Sequence, residues 1–480
     1  MSWQLALTLD RSATRRPLAG QIRDGIRRAV EEGTLRPGTR LPSSRSLAVD
    51  LGVSRSVLVE AYAQLTAEGY LTTRRGSGSR VARPAAPREP ARSALLSPPA
   101  GGPGPQPDPA VRDLRTGTGV VRSFPHQEWL RCASTVIRGA DSVGLGYGPT
   151  AGQPALRQVL AGYLGRVRGV RTTGDDVMVT AGFAQGLALL CQVLRARGLE
   201  AVAVEDPGHP GEREFIARSG LEVVGIPVDA DGLRVDALAA SGVRAVLVTP
   251  GNQFPLSVPL GDGRRAELLA WAQECDGLVI EDDFDGGFLP AGRRGPALQS
   301  LAPDRVVYAG STSKVLAPAL RLGWLAGPSW LVGELEEVRV GWDLGCSGLE
   351  QLTLARFLDT GGLDRHLRRL DADLRGRRAV VREALAGLPG VEPVGAREQD
   401  GGLQAHLRLP AGAGTADEEA LVRAAARRGV LVRGGGHYAL DRAGWPPAVV
   451  VNYASPTVSA LTEGMAVLAE LLAHCRADAA

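Results

Sequence analysis

The segment Gly310-Ser311-Thr312-Ser313-Lys314 contains the only lysine of a 480-residue chain that also carries 54 arginines. Every other position that needs a positive charge is therefore filled by arginine. A lone lysine is expected where arginine cannot replace it, and the main role of that kind is a primary amine that forms a Schiff base. The alternative is a solvated lysine retained by chance, and the count alone does not separate the two.

Apolar strands alternate with helical stretches on both sides of this segment. Such alternation is typical of a largely parallel sheet with helices on both faces. In open sheets of this kind, ligands bind beyond the carboxyl ends of the strands. We therefore expect the residues that follow the strands to form a site with Lys314. The predicted strands are Val177–Thr180, Ala201–Val204, Ala245–Thr249, Leu278–Ile280 and Val306–Ala309.

The residues after these strands are suited to pyridoxal phosphate (PLP). Asp282, leaving a buried strand, can hold the pyridine nitrogen protonated, which makes the ring an electron sink. Gly182 and Phe183 open a helix whose N-terminal amides can bind the phosphate, and the ring of His209 can stack on the cofactor. Further donors to the phosphate are expected from Ser311, Ser313 and Arg321.

Each of these residues alone has a commoner explanation. A strand-end aspartate is more often a helix cap, a single histidine is more often packed or exposed, and a glycine after a strand usually marks a turn. An isolated arginine is usually a solvated charge. The ordered set around the only lysine favours the cofactor site.

The first 83 residues have the pattern of a winged helix. A helix is predicted from Leu18 to Glu32, a second from a cap at Ser43 or Ser44 to Leu51, and a third with Ser54 as its cap. Two short helices around a glycine turn form a helix-turn-helix. Strands Tyr70–Thr73 and Ser79–Val81 would flank a basic hairpin, the wing. The residues expected to face inward from the third helix are Val57, Leu58, Ala61 and Leu65.

This front end is also the basic part of the chain. It holds 14 arginines against 7 acidic residues, a balance of +7 that leaves −4 for the remainder of a chain of net charge +3. A basic module on an acidic body suggests a polyanionic partner. Residues 84–112 are rich in proline and glycine and are predicted to be a flexible tether. The alternative is an ordinary three-helix protein-interaction module.

Several classes of protein are disfavoured by composition. No apolar run approaches the ~20 residues that span a bilayer, and the start of the chain lacks a signal peptide pattern. Five scattered cysteines argue against a disulfide framework and a zinc site, and fit a reducing cytoplasm.

The stretch from Pro17 to Ala82 resembles the GntR family of winged-helix regulators. The resemblance is carried by Leu41-Pro42-Ser43-Ser44-Arg45, Leu51-Gly52-Val53-Ser54-Arg55 and Glu68-Gly69-Tyr70-Leu71. It implies that DNA is contacted by Arg45, Ser54, Arg55, Ser56, and the wing residues Arg75 and Gly76. Val59 departs from the family, because many members carry a basic residue there.

The body from about Asp113 resembles fold type I aminotransferases, and the fusion as a whole is similar to the MocR subfamily of GntR regulators. The motifs are Tyr147-Gly148-Pro149, Glu205-Asp206-Pro207-Gly208, Gln253-Phe254-Pro255, Glu281-Asp282-Asp283, and Ser311-Thr312-Ser313-Lys314 with Pro318 and Arg321. The resemblance implies an α/β fold: a winged helix-turn-helix at 1–83, a large PLP-binding domain with a mainly parallel sheet at 113–343, and a small α+β domain at 344–480.

The same resemblance implies a head-to-tail homodimer in which Tyr147 reaches the phosphate of the partner's cofactor. Three positions depart from the family. Phe284 replaces a tyrosine that bonds the cofactor's phenolic oxygen, a contact that Gln253 would partly replace, and His209 replaces a stacking tyrosine. Val450 stands where an arginine binds a substrate α-carboxylate, although Arg433 from a neighbouring loop could restore that contact.

Three hypotheses follow. The chain is a regulator that binds a double-stranded DNA operator with two half-sites and senses a small molecule with little turnover. Alternatively, it is an active PLP-dependent aminotransferase that carries a DNA-binding module, which the loss of the carboxylate arginine argues against. A body that has lost the cofactor and only dimerises is disfavoured by Lys314 and Asp282. The expected effector is PLP itself or an amine without the α-carboxylate.

Overall fold

The computed structural model describes residues 9, 17–74, 78–82, 111–117, 119–140, 145–285, 295–388, 390–391, 393–394, 401–410, 412–442 and 445–474. The chain divides into two compact units, residues 1–102 and residues 103–480. The predicted linker 84–112 lies outside the described residues except for residues 111 and 112, and Arg112 already belongs to a strand. No helix among the described residues is long and apolar enough to cross a membrane.

The first unit is a winged helix, as the sequence predicts. It contains α1 (Leu18–Glu31), α2 (Ser44–Leu51) and α3 (Arg55–Ala67), followed by the antiparallel strands β1 (Leu71–Arg74) and β2 (Gly78–Val81). The side chains of α1 and α3 meet in one apolar core. The fully buried members of that core include Ile22, Ile26, Leu58, Ala61 and Leu65.

The helix-turn-helix is formed by local interactions. The Ser43 hydroxyl accepts a hydrogen bond from the Ser46 N–H at 3.1 Å and caps α2. Gly52, with φ of 62°, ends α2 in the left-handed region that glycine adopts without strain. Ser54 is the N-cap residue of α3, as predicted, although its hydroxyl pairs with that of Ser56 at 2.8 Å and makes no capping hydrogen bond. Val57 is only half-buried, and Tyr62 supplies the additional buried side chain of α3.

The second unit contains two sheets and the helices around them. Its helices are α4 (His126–Gly139), α5 (Pro154–Arg168), α6 (Phe183–Ala196), α7 (Pro210–Arg218), α8 (Val235–Ser241), α9 (Asp262–Glu274), α10 (Leu298–Leu301), α11 (Ser329–Val340), α12 (Gly348–Asp359), α13 (Gly362–Leu385), α14 (Thr415–Arg427) and α15 (Val458–His474). Its strands are β3 (Arg112–Asp113), β4 (Val177–Thr180), β5 (Ala201–Asp206), β6 (Glu222–Asp229), β7 (Gly232–Leu233), β8 (Ala245–Val248), β9 (Leu278–Asp282), β10 (Val306–Ser311), β11 (Gly323–Ala326), β12 (Pro393–Val394), β13 (Gln404–Arg408), β14 (Val430–Leu431), β15 (Arg433–Gly434) and β16 (Ala448–Asn452).

The large sheet has the strand order β4-β11-β10-β9-β8-β5-β6-β7. Strands β10, β9, β8, β5 and β6 are parallel to one another. Alternate residues of a strand face opposite cores: Val202 and Val204 pack in the core that contains α6, whereas Ala203 packs in the core that contains α9. Helices therefore cover both faces, and the predicted fold class is confirmed.

Three strands of this sheet, β6, β7 and β11, were not predicted from the sequence. β6 follows β5 directly in space, and β11 inserts between β4 and β10 in antiparallel orientation. A parallel connection needs a dozen or more residues, and the chain between β10 and β11 is too short for one. It turns back at Arg321, whose φ of 49° lies in the left-handed region.

The small sheet has the order β12-β13-β16-β15 and is antiparallel. Gln404 of β13 pairs in register with Asn452 of β16, and His406 pairs with Val450. Separately, β3 pairs in parallel with β14. The start of the body is thus hydrogen-bonded to residues more than 300 positions later in the chain.

A buried ion pair joins α5 to the end of β9. The Arg168 guanidinium lies 2.8 Å from the Asp283 carboxylate, and both side chains are less than 5% exposed. The Tyr308 hydroxyl donates to the same carboxylate. Arg168 therefore fixes the backbone immediately after Asp282.

We expect Arg168→Met to lower the free energy of unfolding of the body by about 3–5 kcal/mol, because it leaves the buried Asp283 carboxylate without its cationic partner. The matched control is Arg166→Met on the same helix, where the side chain is 62% exposed and pairs with Asp364 at 3.6 Å; it should cost about 0–1 kcal/mol. Urea unfolding measures both. Equal losses would show that the Arg168 pair is not specially stabilising.

Candidate functional site

A cavity of about 210 Å³ lies at the carboxyl ends of β5, β9 and β10. Since an apolar cavity of about 150 Å³ holds a benzene ring, this one accepts an aromatic ring with substituents. The structure brings together on its wall the predicted residues Phe183, His209, Asp282, Ser311, Ser313, Lys314 and Arg321.

Lys314 lies half-buried just after β10, and its amine donates a hydrogen bond to the Gly117 carbonyl at 2.8 Å. Burial lowers the pKa of the Lys314 amine, while Asp282 and Glu212 act in the opposite direction. A lowered pKa increases the fraction of neutral amine, which is the form that attacks an aldehyde.

Asp282 is the last residue of β9 and is 4% exposed. Burial, and then the nearby carboxylates of Glu212 and Asp283, raise its pKa well above the usual range. None of the described residues hydrogen-bonds this carboxylate. A cationic ring nitrogen in the cavity would supply the partner that the protein itself does not.

The groups expected to bind the phosphate lie at the start of α6. Gly182, with φ of 87°, precedes the first helical residue. A Cβ at Gly182 would lie 3.4 Å from Nη1 of Arg321, so a side chain there would fill the space beside the guanidinium. Ser311 and Ser313 lie on the same cavity wall. Helix N-terminal amides, hydroxyls and a guanidinium are the donors that a phosphate requires.

His209 lies beside the cavity with its ring 5.4 Å from that of Phe254. Its Nδ1 accepts a hydrogen bond from the Gly211 N–H at 3.1 Å. Burial, and then the Lys314 charge, lower the pKa of His209 to about 4, so the ring is neutral and flat. These residues together fit PLP, which, when bound to an amine, withdraws electrons from the adjacent carbon.

Gln253 and Tyr147 are not brought to this cavity. The Gln253 Nε2 donates hydrogen bonds to the backbone carbonyls of Pro207 and Phe254, both at 2.7 Å, and to the Glu205 carboxylate at 3.4 Å. It is therefore not placed to replace the hydroxyl that Phe284 lacks. Tyr147 is 93% exposed, so its predicted role in a partner's site stays a prediction.

Several residues of the cavity wall had no predicted role in the site. The Glu205 carboxylate accepts hydrogen bonds from the N–H and the hydroxyl of Thr249, and burial raises its pKa to about 7. Burial and the neighbouring Glu205 raise the pKa of Glu212 to about 8. Glu212 lies three residues after His209, about one helical turn away. This spacing was the signal in the sequence that could have identified Glu212 as a site residue. The other unpredicted wall residues include Thr116, Gly117, Arg213, Gln404 and Asn452.

Val450 is fully buried in β16, opposite His406 on one side and Arg433 on the other. Arg433 pairs with Val450 in the sheet, and neither residue lines the cavity. The guanidiniums that do line the cavity belong to Arg321, beside Gly182, and Arg213, which lies 3.9 Å from Asp206.

The predicted DNA-binding residues of the first unit lie on its surface. Ser54, Arg55 and Ser56 are exposed at the start of α3, and Arg45 is exposed on α2. Val59, on the same helix, is 48% exposed. The wing residues Arg75 and Gly76 lie outside the described residues.

Both parts of the chain match known families. Residues 18–81 match the family described as bacterial regulatory proteins, gntR family, and residues 117–468 match aminotransferase class I and II. The second match covers more than half of the chain.

Similar proteins combine the two parts. The HTH-type pyridoxine biosynthesis transcriptional regulator PdxR of Corynebacterium glutamicum is 34% identical, over 87% of this chain and 88% of that protein. The probable rhizopine catabolism regulatory protein MocR of Rhizobium meliloti is 32% identical, over 88% of this chain and 87% of that protein.

Among solved structures, the body is similar to the α-aminoadipate aminotransferase LysN of Thermus thermophilus, complexed with N-(5′-phosphopyridoxyl)-L-leucine. The TM-score is 0.67 at 26% identity, over 77% of this chain and 94% of that one. The chain therefore belongs to the MocR subfamily of GntR transcription regulators, in which a DNA-binding winged helix precedes a class I and II aminotransferase domain.

Proposed function

We propose that this regulator binds PLP through Lys314 and reads either PLP itself or a primary amine without an α-carboxylate as its signal. The observation that carries the proposal is the pair of Lys314 and the unpartnered, buried Asp282 on one cavity wall. A cytoplasmic location follows from the need to meet DNA. PdxR of Corynebacterium glutamicum, named for regulation of pyridoxine biosynthesis, supports a ligand of the vitamin B6 class.

Catalytic turnover of α-amino acids is disfavoured by the residue at position 450. An α-carboxylate would find a fully buried valine in place of the family's arginine. Burying an unpaired carboxylate costs several kcal/mol. We therefore propose that the aminotransferase domain is a receptor rather than an enzyme.

We further propose a head-to-tail homodimer on two operator half-sites. The body exposes large apolar side chains that a monomer would leave in water, and such patches mark interfaces. They belong to α4, to the segment that contains Tyr147, and to the residues after α11. The members are Leu130, Ile137, Leu145, Tyr147, Trp342 and Leu344.

The segment 111–117 offers a route from the ligand to the DNA-binding unit, because it contains the end of the predicted linker and the first residues of the body. The carbonyl groups of Leu114 and Arg115 accept hydrogen bonds from Asn452, and the Thr116 hydroxyl pairs with that of Tyr438 at 2.7 Å. Its last hydrogen bond joins Gly117 to the Lys314 amine.

That last hydrogen bond depends on whether Lys314 carries a ligand. Condensation of the amine with an aldehyde removes both amine hydrogens, which leave with the aldehyde oxygen as water. A neutral Lys314 nitrogen in that state has no hydrogen to donate to the Gly117 carbonyl. We propose that PLP binding thereby frees this segment, and that the freed segment changes how the linker presents the DNA-binding unit.

The purified protein loaded with PLP should be yellow. Lys314→Ala and Lys314→Arg should both abolish the visible absorption band without unfolding the protein, because only a lysine amine forms the covalent bond. Lys314→Arg is the matched control, since it keeps the positive charge. Asp282→Ala should keep Lys314 but weaken PLP binding. A colourless wild type in the presence of excess PLP would refute the cofactor proposal.

Arg55→Ala should reduce discrimination between the operator and unrelated DNA by about 1–3 kcal/mol, because a bidentate contact with a base would be lost. Arg28→Ala is the matched control, since Arg28 is exposed on α1, which is not part of the helix-turn-helix. Fluorescence anisotropy with both DNAs at one salt concentration measures the ratio. Unchanged discrimination in Arg55→Ala would show that the start of α3 does not read the sequence.

Common α-amino acids should bind the PLP-loaded protein poorly and should not be transaminated. The reason is that Val450 replaces the arginine that would bind the α-carboxylate of the amino acid. The check is a spectroscopic titration with a panel of α-amino acids and simple amines, followed by analysis for keto acids. Rapid conversion of the yellow form by α-amino acids would support the aminotransferase alternative instead.

A further inference from the structure

The wall of the cavity formed by β13 and β16 contains a buried hydrogen-bond donor without an acceptor. Gln404, the first residue of β13, lines the cavity and is 3% exposed. Its Nε2 has no hydrogen-bond partner. Because almost all buried polar groups in proteins are hydrogen-bonded, an exception on the wall of a cavity indicates a missing ligand.

The neighbouring polar residue cannot supply the acceptor. Asn452 lies opposite Gln404 in the sheet, and both ends of its amide are occupied. Its Nδ2 donates to the Arg115 carbonyl and the Ser455 hydroxyl, and its Oδ1 accepts from the N–H groups of Ala454 and Ser455. Asn452 thus has a structural role, and Gln404 is left to face a ligand.

The nearest sheet neighbours of Gln404 on β13 and β16 are uncharged. Leu403 is 4% exposed and Val450 is fully buried. His406, opposite Val450, is 2% exposed, and burial lowers its pKa to about 4, so it is neutral at physiological pH. A carboxylate next to Gln404 would find no cation among these neighbours, whereas an uncharged oxygen would need only the one donor that Gln404 offers.

We propose that Gln404 determines which effector is bound, and that the effector is a small primary amine that also carries an uncharged oxygen, in a hydroxyl, ether or carbonyl group. This inference rests on the proposed function. The effector nitrogen takes the place of the Lys314 nitrogen on bound PLP, and its two hydrogens pass to Lys314, which regains a free amine. The effector oxygen accepts a hydrogen bond from Nε2 of Gln404.

The test compares matched ligands on the PLP-loaded full-length protein by calorimetric titration. The probes are amino alcohols with two, three and four carbons between nitrogen and oxygen. Each is paired with the alkylamine in which a methyl group replaces the hydroxyl. At least one amino alcohol should bind about tenfold more tightly than its alkylamine, since the alkylamine leaves the buried donor unpaired.

Two variants separate recognition from packing. Gln404→Met keeps the length of the side chain without the donor and should bind both members of the pair equally. Gln404→His keeps an N–H group and should retain a preference for the amino alcohol. The visible band is recorded first for every protein, so that loss of PLP is recognised independently of effector binding.

The outcomes are distinguishable. A colourless wild-type protein would refute the proposed function itself. A yellow wild type that binds every alkylamine as tightly as its amino alcohol would overturn only the inference about Gln404. So would tighter binding of β-alanine than of the amino alcohols, or an undiminished preference in Gln404→Met.

Discussion

The carboxylate of Asp282 is the constraint on which the site depends. It belongs to a cluster of buried acids with Glu281, Asp283 and Asp285, and each of the other three has its own hydrogen-bond donor. The donors are the backbone N–H groups of Leu298 and Gln299 for Glu281, Arg168 and Tyr308 for Asp283, and the Asn252 amide for Asp285. Asp282 alone faces the cavity, so its charge has to be balanced by what binds there.

Strand geometry explains why only one acid of the cluster faces the cavity. Successive side chains of a strand point to opposite faces of the sheet, so Asp282 is separated from Glu281 and Asp283. The parallel neighbour β10 pairs Ala309 with Asp282, and the chain then leaves the sheet through Ser311 to Lys314. The amine and the carboxylate therefore reach one cavity from adjacent strands. The Lys314 amine also donates a hydrogen bond to the Gly117 carbonyl. This bond connects the cavity to the segment 111–117.

Much of this arrangement was predictable because it depends on residue types in chain order. Lys314, Asp282 and the strands β4, β5, β8, β9 and β10 follow from composition and apolar alternation. β11 was not predictable, because its four residues form a strand only through pairing with β4 and β10. The hydrogen bonds of the Gln253 amide to Pro207 and Phe254 are not revealed by its position in the sequence. Gly117 acts through a backbone carbonyl and leaves no residue-type signal. Gln404 faces the cavity through the register of β13 on β16, a pairing between distant segments.

The central claim is that the state of Lys314 is communicated to the DNA-binding unit. The most direct measurement is the dissociation constant for the operator, determined at one salt concentration with and without PLP, for the wild type and for Lys314→Arg. The account predicts that PLP changes the affinity of the wild type and leaves that of Lys314→Arg unchanged. An equal effect of PLP on both proteins, or no effect on the wild type, would contradict it.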